Sequence, residues 1–206
     1  MKLYDSIGPN PRVVKMFMAE KDIDMPRVTV DLMAGENRQP AHVARNPGAQ
    51  MPTLELDDGR YLAEITAICE YLEEKHPSPS LIGATAEERA MTRMWTRRVD
   101  LYIVEPMLTG FRSAEGYGLF KDRMRLLPQA AADLKLIAQE KITWLDGLIG
   151  GRDFIASHRC TLADILLFCT LDFAATVGQP VNRDNTNIAA WFDRMASRPS
   201  ASASKR

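Results

Sequence analysis

The stretch from Asn46 to Leu72, Asn-Pro-Gly-Ala-Gln-Met-Pro-Thr-Leu-Glu-Leu-Asp-Asp-Gly-Arg-Tyr-Leu-Ala-Glu-Ile-Thr-Ala-Ile-Cys-Glu-Tyr-Leu, constrains the fold more than any other part of the chain. Pro52 stands directly before the alternating run Thr53-Leu54-Glu55-Leu56, which reads as a half-buried strand. Proline has no N–H to give a sheet ladder, so it is confined to a strand's first residue or to an edge. Asp57-Asp58-Gly59 is a hairpin signal, and Tyr61-Leu62 begins the return strand. Ile65, Ile68, Tyr71 and Leu72 then fall on one face of a helix. A proline, a hairpin and a helix opening at an acidic residue can hold a small anionic or zwitterionic ligand. A cis Met51-Pro52 bond is expected, because it turns the Met51 backbone N–H and C=O outward, where a peptide can pair with them. Glu64 is expected beside a helix N-terminus whose free N–H groups attract a carboxylate.

Upstream, Lys2-Leu3-Tyr4 reads as a first strand. A turn through Ser6 and Gly8 leads to a helix with Asn10 as N-cap, Pro11 at its first position and Val13, Val14, Phe17 and Met18 on its buried face. Arg27 to Asp31 is a second strand, Gly35 to Pro40 a polar loop, and Ala41 to Arg45 one helical turn. The order β-α-β-α-β-β-α is thioredoxin-like, and its strand-helix-strand opening implies a parallel pair with a right-handed crossover. Residues 1–77 form this α/β domain and residues 78–86 a linker, since His76-Pro77-Ser78-Pro79-Ser80 excludes helix.

Residues 87–206 read as an all-helical bundle domain. One long helix from Ala86 carries Met91, Met94, Trp95, Val99 and Leu101 and kinks or ends at Pro106, and the segment from Phe111 to Phe120 reads as a loop. A second long helix, Leu126 to Ile149, is expected to turn Leu134, Ile137, Trp144, Leu145 and Leu148 to the core. Thr161 and Asp164 have the spacing of a capping box before the apolar run from Ile165 to Ala175. A last helix covers Ile188 to Met195, and the tail after Pro199 is expected to fray.

At 206 residues with a net charge of -1, the chain has ample material for a core and no field favouring nucleic acid or an anionic membrane. Cys69, Cys160 and Cys169 have neither metal-ligand nor Cys-x-x-Cys spacing, so no metal is expected, and Cys69 and Cys169, inside apolar helical patterns, read as buried thiols. No apolar stretch spans a bilayer, and Met-Lys-Leu-Tyr-Asp turns charged too early for a signal peptide, which fits a reducing cytoplasm.

From Lys2 to Pro199 the chain resembles the soluble glutathione transferase family, and a bacterial-like member of it. That family carries Asn-Pro-x-Gly-x-(Val/Ile)-Pro, a hairpin, and Glu-Ser-x-Ala-Ile-x-x-Tyr-Leu; here these are Asn46-Pro47, Gln50-Met51-Pro52 and Glu64 to Leu72. It departs from the pattern at Ala49, where the family has glycine, and at Ile65, where it has serine. The usual thiol-activating serine is Gly8 here, and the loop has no cysteine. The resemblance implies glutathione as co-substrate and a small apolar electrophile or a peroxide as its partner in detoxification. It leaves Asn10, which matches an asparagine that hydrogen-bonds the sulfur in one bacterial class, and Ser6 to activate the thiol. Gln50 and the Met51 backbone would take the cysteinyl-glycine part, Glu64 the glutamyl ammonium, and the Ile65 N–H with Thr66 the glutamyl carboxylate. Asn37 matches a glycine-carboxylate ligand, and Trp95, Tyr102, Met107, Phe111 and Tyr117 are candidate walls for the electrophile. The third and fourth helices, with Arg89, Arg93, Arg97 and Arg98, would meet their copies in a homodimer. Missing hydroxyls at positions 8 and 65 keep a second reading open, a non-catalytic glutathione-binding carrier or regulator.

Overall fold

Leu3 and Leu54, both fully buried, face each other across the middle of a four-stranded sheet with strand order β2-β1-β3-β4. The computed structural model describes residues 1–205. β1 (Lys2–Asp5) pairs in parallel with β2 (Arg27–Thr29) and antiparallel with β3 (Thr53–Glu55), which pairs antiparallel with β4 (Tyr61–Leu62). The helix α1 (Pro9–Glu20) makes the crossover between β1 and β2. Its Val13, Val14 and Phe17 are fully buried, as the 3.6-residue period predicts. A 3-10 turn at Glu36–Arg38 and a short α2 (Pro40–Val43) precede β3, and α3 (Ile65–Lys75) follows β4. The expected thioredoxin-like order is therefore present. On α3 the buried stripe is Ile68, Cys69, Leu72 and Glu73, with Ile65 and Tyr71 at its edge.

The chain divides into two compact units, Met1–Ile82 with the C-terminal segment from Arg198, and Gly83–Ser197. The tail corrects an expectation. It does not fray: α10 (Pro199–Ala203) buries Ser200 and Ala201 and belongs to the α/β unit rather than the helical one. Arg198 reaches Glu20 through two hydrogen bonds of 2.7 and 2.6 Å, and Ser200 donates to the same carboxylate. Arg12 adds bonds to the Ala201 carbonyl and Ser204 hydroxyl, both at 3.3 Å. Polar side chains can thus anchor a segment that has too little apolar surface to be recognised as packed.

A buried ion pair closes the same unit. Lys21 Nζ lies 2.7 Å from Glu73 Oε2, with side-chain exposures of 0% and 2%. Lys21 also donates to the carbonyls of His76 and Pro79 at 2.6 Å. Glu73 Oε1 accepts from Ser80 Oγ and from the N–H groups of Leu81 and Ile82 at 3.0–3.1 Å. Every charge-bearing atom is satisfied, the condition under which burying such a pair is tolerated. The result is a fixed path for residues 76–82, which include a cis Ser78–Pro79 bond.

The helical unit runs through α4 (Ala86–Val99), a π-helical segment (Asp100–Val104) and α5 (Glu105–Ser113) without a break. Pro106 sits in the first turn of α5, where its missing N–H is tolerated because the preceding turn is widened. The segment expected as a loop from Phe111 is instead helical to Ser113 and again in α6 (Tyr117–Phe120). A 3-10 turn at Pro128–Ala130 leads into α7 (Ala131–Ile149), followed by α8 (Leu162–Thr176) and α9 (Thr186–Ala196). On α7 the buried stripe is Ala131, Ala138, Ile142, Leu145 and Ile149. Of the residues expected there only Leu145 is buried, while Ile137, Trp144 and Leu148 are exposed. Both stripes have helical spacing, so periodicity alone could not choose between them. Met91 and Leu101, expected inside, are likewise exposed. Among the described residues no helix is long and apolar enough to cross a membrane.

Candidate functional site

Antiparallel pairing brings three chain segments to one end of the sheet. The register Tyr4↔Thr53 and Leu54↔Leu62 sets the C-terminal end of β1 beside the start of β3 and the end of β4. From those points the chain enters α1, arrives from residues 46–52, and enters α3. Met51 is buried against Tyr4 and Val30, which fixes the loop to the strands.

The loop is held by amides. Asn46 Nδ2 donates to the Gln50 carbonyl at 2.9 Å and to Thr53 Oγ1 at 3.3 Å, while its Oδ1 accepts the Gly48 N–H at 3.0 Å. His42 Nε2 lies 3.4 Å from the Gln50 carbonyl. Asn37, expected as a carboxylate ligand, is buried and donates its Nδ2 to the Ala49 carbonyl at 2.7 Å. That places it beneath the loop, positioning Ala49–Met51 from behind. Ala49 adopts φ 52°, a left-handed conformation that favours glycine. The Met51–Pro52 bond is cis, as expected. Gln50 is exposed. The Met51 N–H and C=O have no hydrogen-bond partner among the described residues. In the sequence Asn46 is only part of a motif; its triple role appears with the folded loop, and His42 carries no sequence signal.

Glu64 is the N-cap of α3 and takes φ 68°, ψ 121°, a conformation that a residue with a Cβ rarely adopts. Its side chain is exposed and forms no bond with any described residue, not even to the helix it caps. The first ladder bond runs from Ile68 N–H to the Glu64 carbonyl at 2.9 Å. The N–H groups of Ile65, Thr66 and Ala67 therefore precede the ladder and have no acceptor among the described residues, next to the positive end of the helix. A ligand bearing both a carboxylate and an ammonium has a partner for each: the N–H groups for one, Glu64 for the other.

The α1 end differs from expectation. Gly8, at φ 111°, is the N-cap, and Pro9 rather than Pro11 opens the helix. Both prolines lie in the first turn, where no intrahelical acceptor is missed, and Arg12 N–H makes the first ladder bond to Gly8 at 3.4 Å. Asn10 is thus a first-turn residue, half-buried, with a side-chain amide that pairs with nothing among the described residues. It also carries a free first-turn N–H between two prolines that have none. Ser6 is otherwise engaged: it is buried and its Oγ donates to the Val30 carbonyl at 2.7 Å, extending the β1–β2 contact by one residue. Its proton is spent on the fold. Tyr4 likewise donates its hydroxyl to Glu55 at 2.8 Å, and burial together with that bond raises its pKa above the ordinary phenol value.

In the helical unit Trp95 and Met107 are buried core residues, Phe111 is half-buried, and Tyr102 and Tyr117 are exposed. Thr161 and Asp164 form the expected capping box. Asp164 does more than cap. Fully buried, it accepts from the Ile155 N–H (2.8 Å), the Trp191 indole N–H (2.9 Å), and the Thr161 N–H and hydroxyl (2.9 and 2.7 Å), so one carboxyl ties α8 to α9 and to the preceding loop. Burial pushes its pKa up, with those four donors opposing.

A thioredoxin-like unit with an open α3 N-terminus and a cis-proline loop, followed by a helical unit with a capping box, is the plan of one class of protein. Residues 7–75 match the family described as glutathione S-transferase, N-terminal domain, and residues 119–199 its C-terminal domain. A relative, glutathione S-transferase 2 of Saccharomyces cerevisiae, is 32% identical over 208 residues, covering 97% of this chain and 87% of the yeast protein. The crystal structure of Gtt2 from Saccharomyces cerevisiae superposes with a TM-score of 0.92 at 30% identity, covering 99% of this chain and 100% of that one. A glutathione S-transferase domain-containing protein of Marinobacter aquaeolei VT8 gives 0.89 at 35% identity, with 97% and 99% covered. The chain belongs to the glutathione S-transferase family.

Proposed function

We propose that the chain binds glutathione on its α/β unit and transfers the thiolate to a small apolar electrophile, or uses it to reduce a peroxide, in detoxification. The observation that carries the reading is Glu64. A charged residue is held in a costly backbone conformation, exposed and unpaired, beside three unpaired helix N–H groups, and such strain persists where a ligand uses it. In this reading Glu64 accepts from the glutamyl ammonium. The N–H groups of Ile65 and Thr66 receive the glutamyl carboxylate, and Gln50 and the Met51 backbone pair with the cysteinyl-glycine part. Asn37 acts through the loop it holds.

Asn10 is the group left to act on the sulfur. A free thiol is mostly protonated at neutral pH, and an amide donor at the positive end of α1 favours the anion. Ser6 orders the strand from which Asn10 is presented. The protein works as a homodimer in a reducing cytoplasm, a setting that suits three buried cysteines that form no disulfide among the described residues.

The test is a calorimetric glutathione titration paired with turnover of a chlorinated nitrobenzene and a hydroperoxide. Micromolar to millimolar binding with turnover is expected. Asn10→Ala should lower turnover, leave glutathione affinity nearly unchanged and raise the pH at which bound thiol ionises. The engaged Ser6 hydroxyl favours a second reading, a glutathione-binding carrier, and binding without turnover of either compound would select it. No glutathione binding by the parent protein would reject both.

A further inference from the structure

The short helix α2 is patterned inside out. His42, its one ionisable side chain, is 2% exposed, while Ala41 and Val43 on either side are exposed. An apolar ring could be buried there at no polar cost, whereas an imidazole shut away from water needs a partner for its N–H. That partner is the Gln50 carbonyl, 3.4 Å from Nε2, and Nδ1 has no partner among the described residues. A ring nitrogen facing a carbonyl oxygen must carry the hydrogen, because two lone pairs would otherwise meet. The surroundings therefore select the Nε2–H tautomer, with the lone pair on Nδ1.

Asn46 reinforces the contact. Its N–H donates to the His42 carbonyl at 2.9 Å, a helical spacing that brings the two side chains to one side of the chain. Its Nδ2 meets the same Gln50 oxygen at 2.9 Å. Two buried side chains thus draw one carbonyl inward, and a carbonyl has two lone pairs to receive them. The Gln50–Met51 peptide is trans, and in a planar trans peptide the C=O and the following N–H point in opposite directions. Holding the oxygen inward turns the Met51 N–H outward, where it has no acceptor among the described residues. The same peptide transmits a second effect. When a ligand accepts the Met51 N–H, the Gln50 oxygen becomes a stronger acceptor and its bonds to His42 and Asn46 tighten.

We propose that His42 is a positioning residue for the ligand-binding loop. Through the Gln50–Met51 peptide it aims the Met51 N–H at the cysteinyl-glycine part of glutathione, and it responds when that N–H is engaged. The proposal rests on the glutathione reading and adds to it a residue that acts through one peptide group.

Two measurements on the full-length protein test this. Long-range NMR spectra of the histidine rings, recorded at about pH 8, above the usual histidine range, should show His42 as the Nε2–H tautomer. Saturating glutathione should move that N–H proton and the Met51 amide proton downfield together. Calorimetric glutathione titration of two variants then separates a donor from a space-filling ring. His42→Phe keeps a buried ring but loses the donor, and should bind glutathione about two- to tenfold more weakly, the range for one neutral hydrogen bond. His42→Gln loses the ring but can place an amide N–H where Nε2 stands, and should recover most of the loss. If His42 only fills space, the order reverses: His42→Phe binds like the parent and His42→Gln more weakly. That order would overturn the proposal, as would an Nδ1–H tautomer or a His42 ring signal indifferent to glutathione. The amide protons of Ile65 and Thr66 report the α3 site separately. If glutathione leaves them unmoved in the parent, the glutathione reading fails and this proposal with it, whereas their shift alongside an unchanged His42→Phe affinity rejects the role of His42 alone.

Discussion

Glu64 allows stability and binding to be pulled in opposite directions by a choice between two small side chains. Its φ of 68° and ψ of 121° lie outside the regions open to residues with a Cβ, a strain of about 1–3 kcal/mol. Glu64→Gly releases that strain. It gives back about 0.4–1 kcal/mol through the freer unfolded chain and about 0.3–1 kcal/mol as the acid leaves the helix N-terminus. The net gain is about 1 kcal/mol, which raises Tm by roughly 2–4 °C in a chain of this size. Glu64→Ala keeps the Cβ and the strain but loses the dipole contribution, so Tm falls by about 1–3 °C. Both variants lose the contact to the glutamyl ammonium, about 1.5–3 kcal/mol, so glutathione affinity drops roughly ten- to a hundredfold in each. Thermal denaturation without ligand and calorimetric titration with glutathione measure the two quantities separately. If Glu64→Gly is destabilised as Glu64→Ala is, no strain is stored at this residue. If either variant binds glutathione like the parent, the assigned site is wrong.

Lys21→Met leaves Glu73 charged and buried without its cation, and stability to urea should fall by about 3–5 kcal/mol. Adding Glu73→Leu should not restore it, since the N–H groups of Leu81 and Ile82 then lose their acceptor. Ala49→Gly relieves a left-handed alanine and should stabilise by about 0.5–1 kcal/mol in the same assay, with glutathione affinity unchanged. In the helical unit the Glu88 carboxyl is held down to about 2, first by its hydrogen bonds to Arg159 and then by the Ala84 N–H. A depressed carboxyl stabilises the fold above its unfolded value, and that contribution disappears as pH falls from about 4.5 towards 2. Stability measured across that window should therefore fall less steeply in Arg159→Met than in the parent, and identical slopes would show that the pair is not coupled to folding.

Local chemistry was enough for much of this. Pro52 before an alternating run, Asp57-Asp58-Gly59 and the apolar spacing of α3 determine strand, hairpin and helix from interactions a few residues long. Thr161 and Asp164 announce a helix start in the same way. Glu64 was legible as a helix-opening acid. What the sequence alone could not decide was anything resting on contacts between distant residues. The partners that satisfy Lys21 and Glu73 span residues 76 to 82, and no spacing rule connects them. Ser6 and Asn10 both stood open as candidates between β1 and α1, until the Val30 carbonyl accepted the Ser6 hydrogen bond and the amide of Asn10 was left without a partner among the described residues. The α7 helix offers two apolar stripes, and only the packing of its neighbours selects Ala138, Ile142 and Leu145 over Ile137, Trp144 and Leu148 for burial. Short-range preferences are written in the order of residues, whereas the use of a polar atom depends on which other atom the folded chain brings within about 3 Å of it.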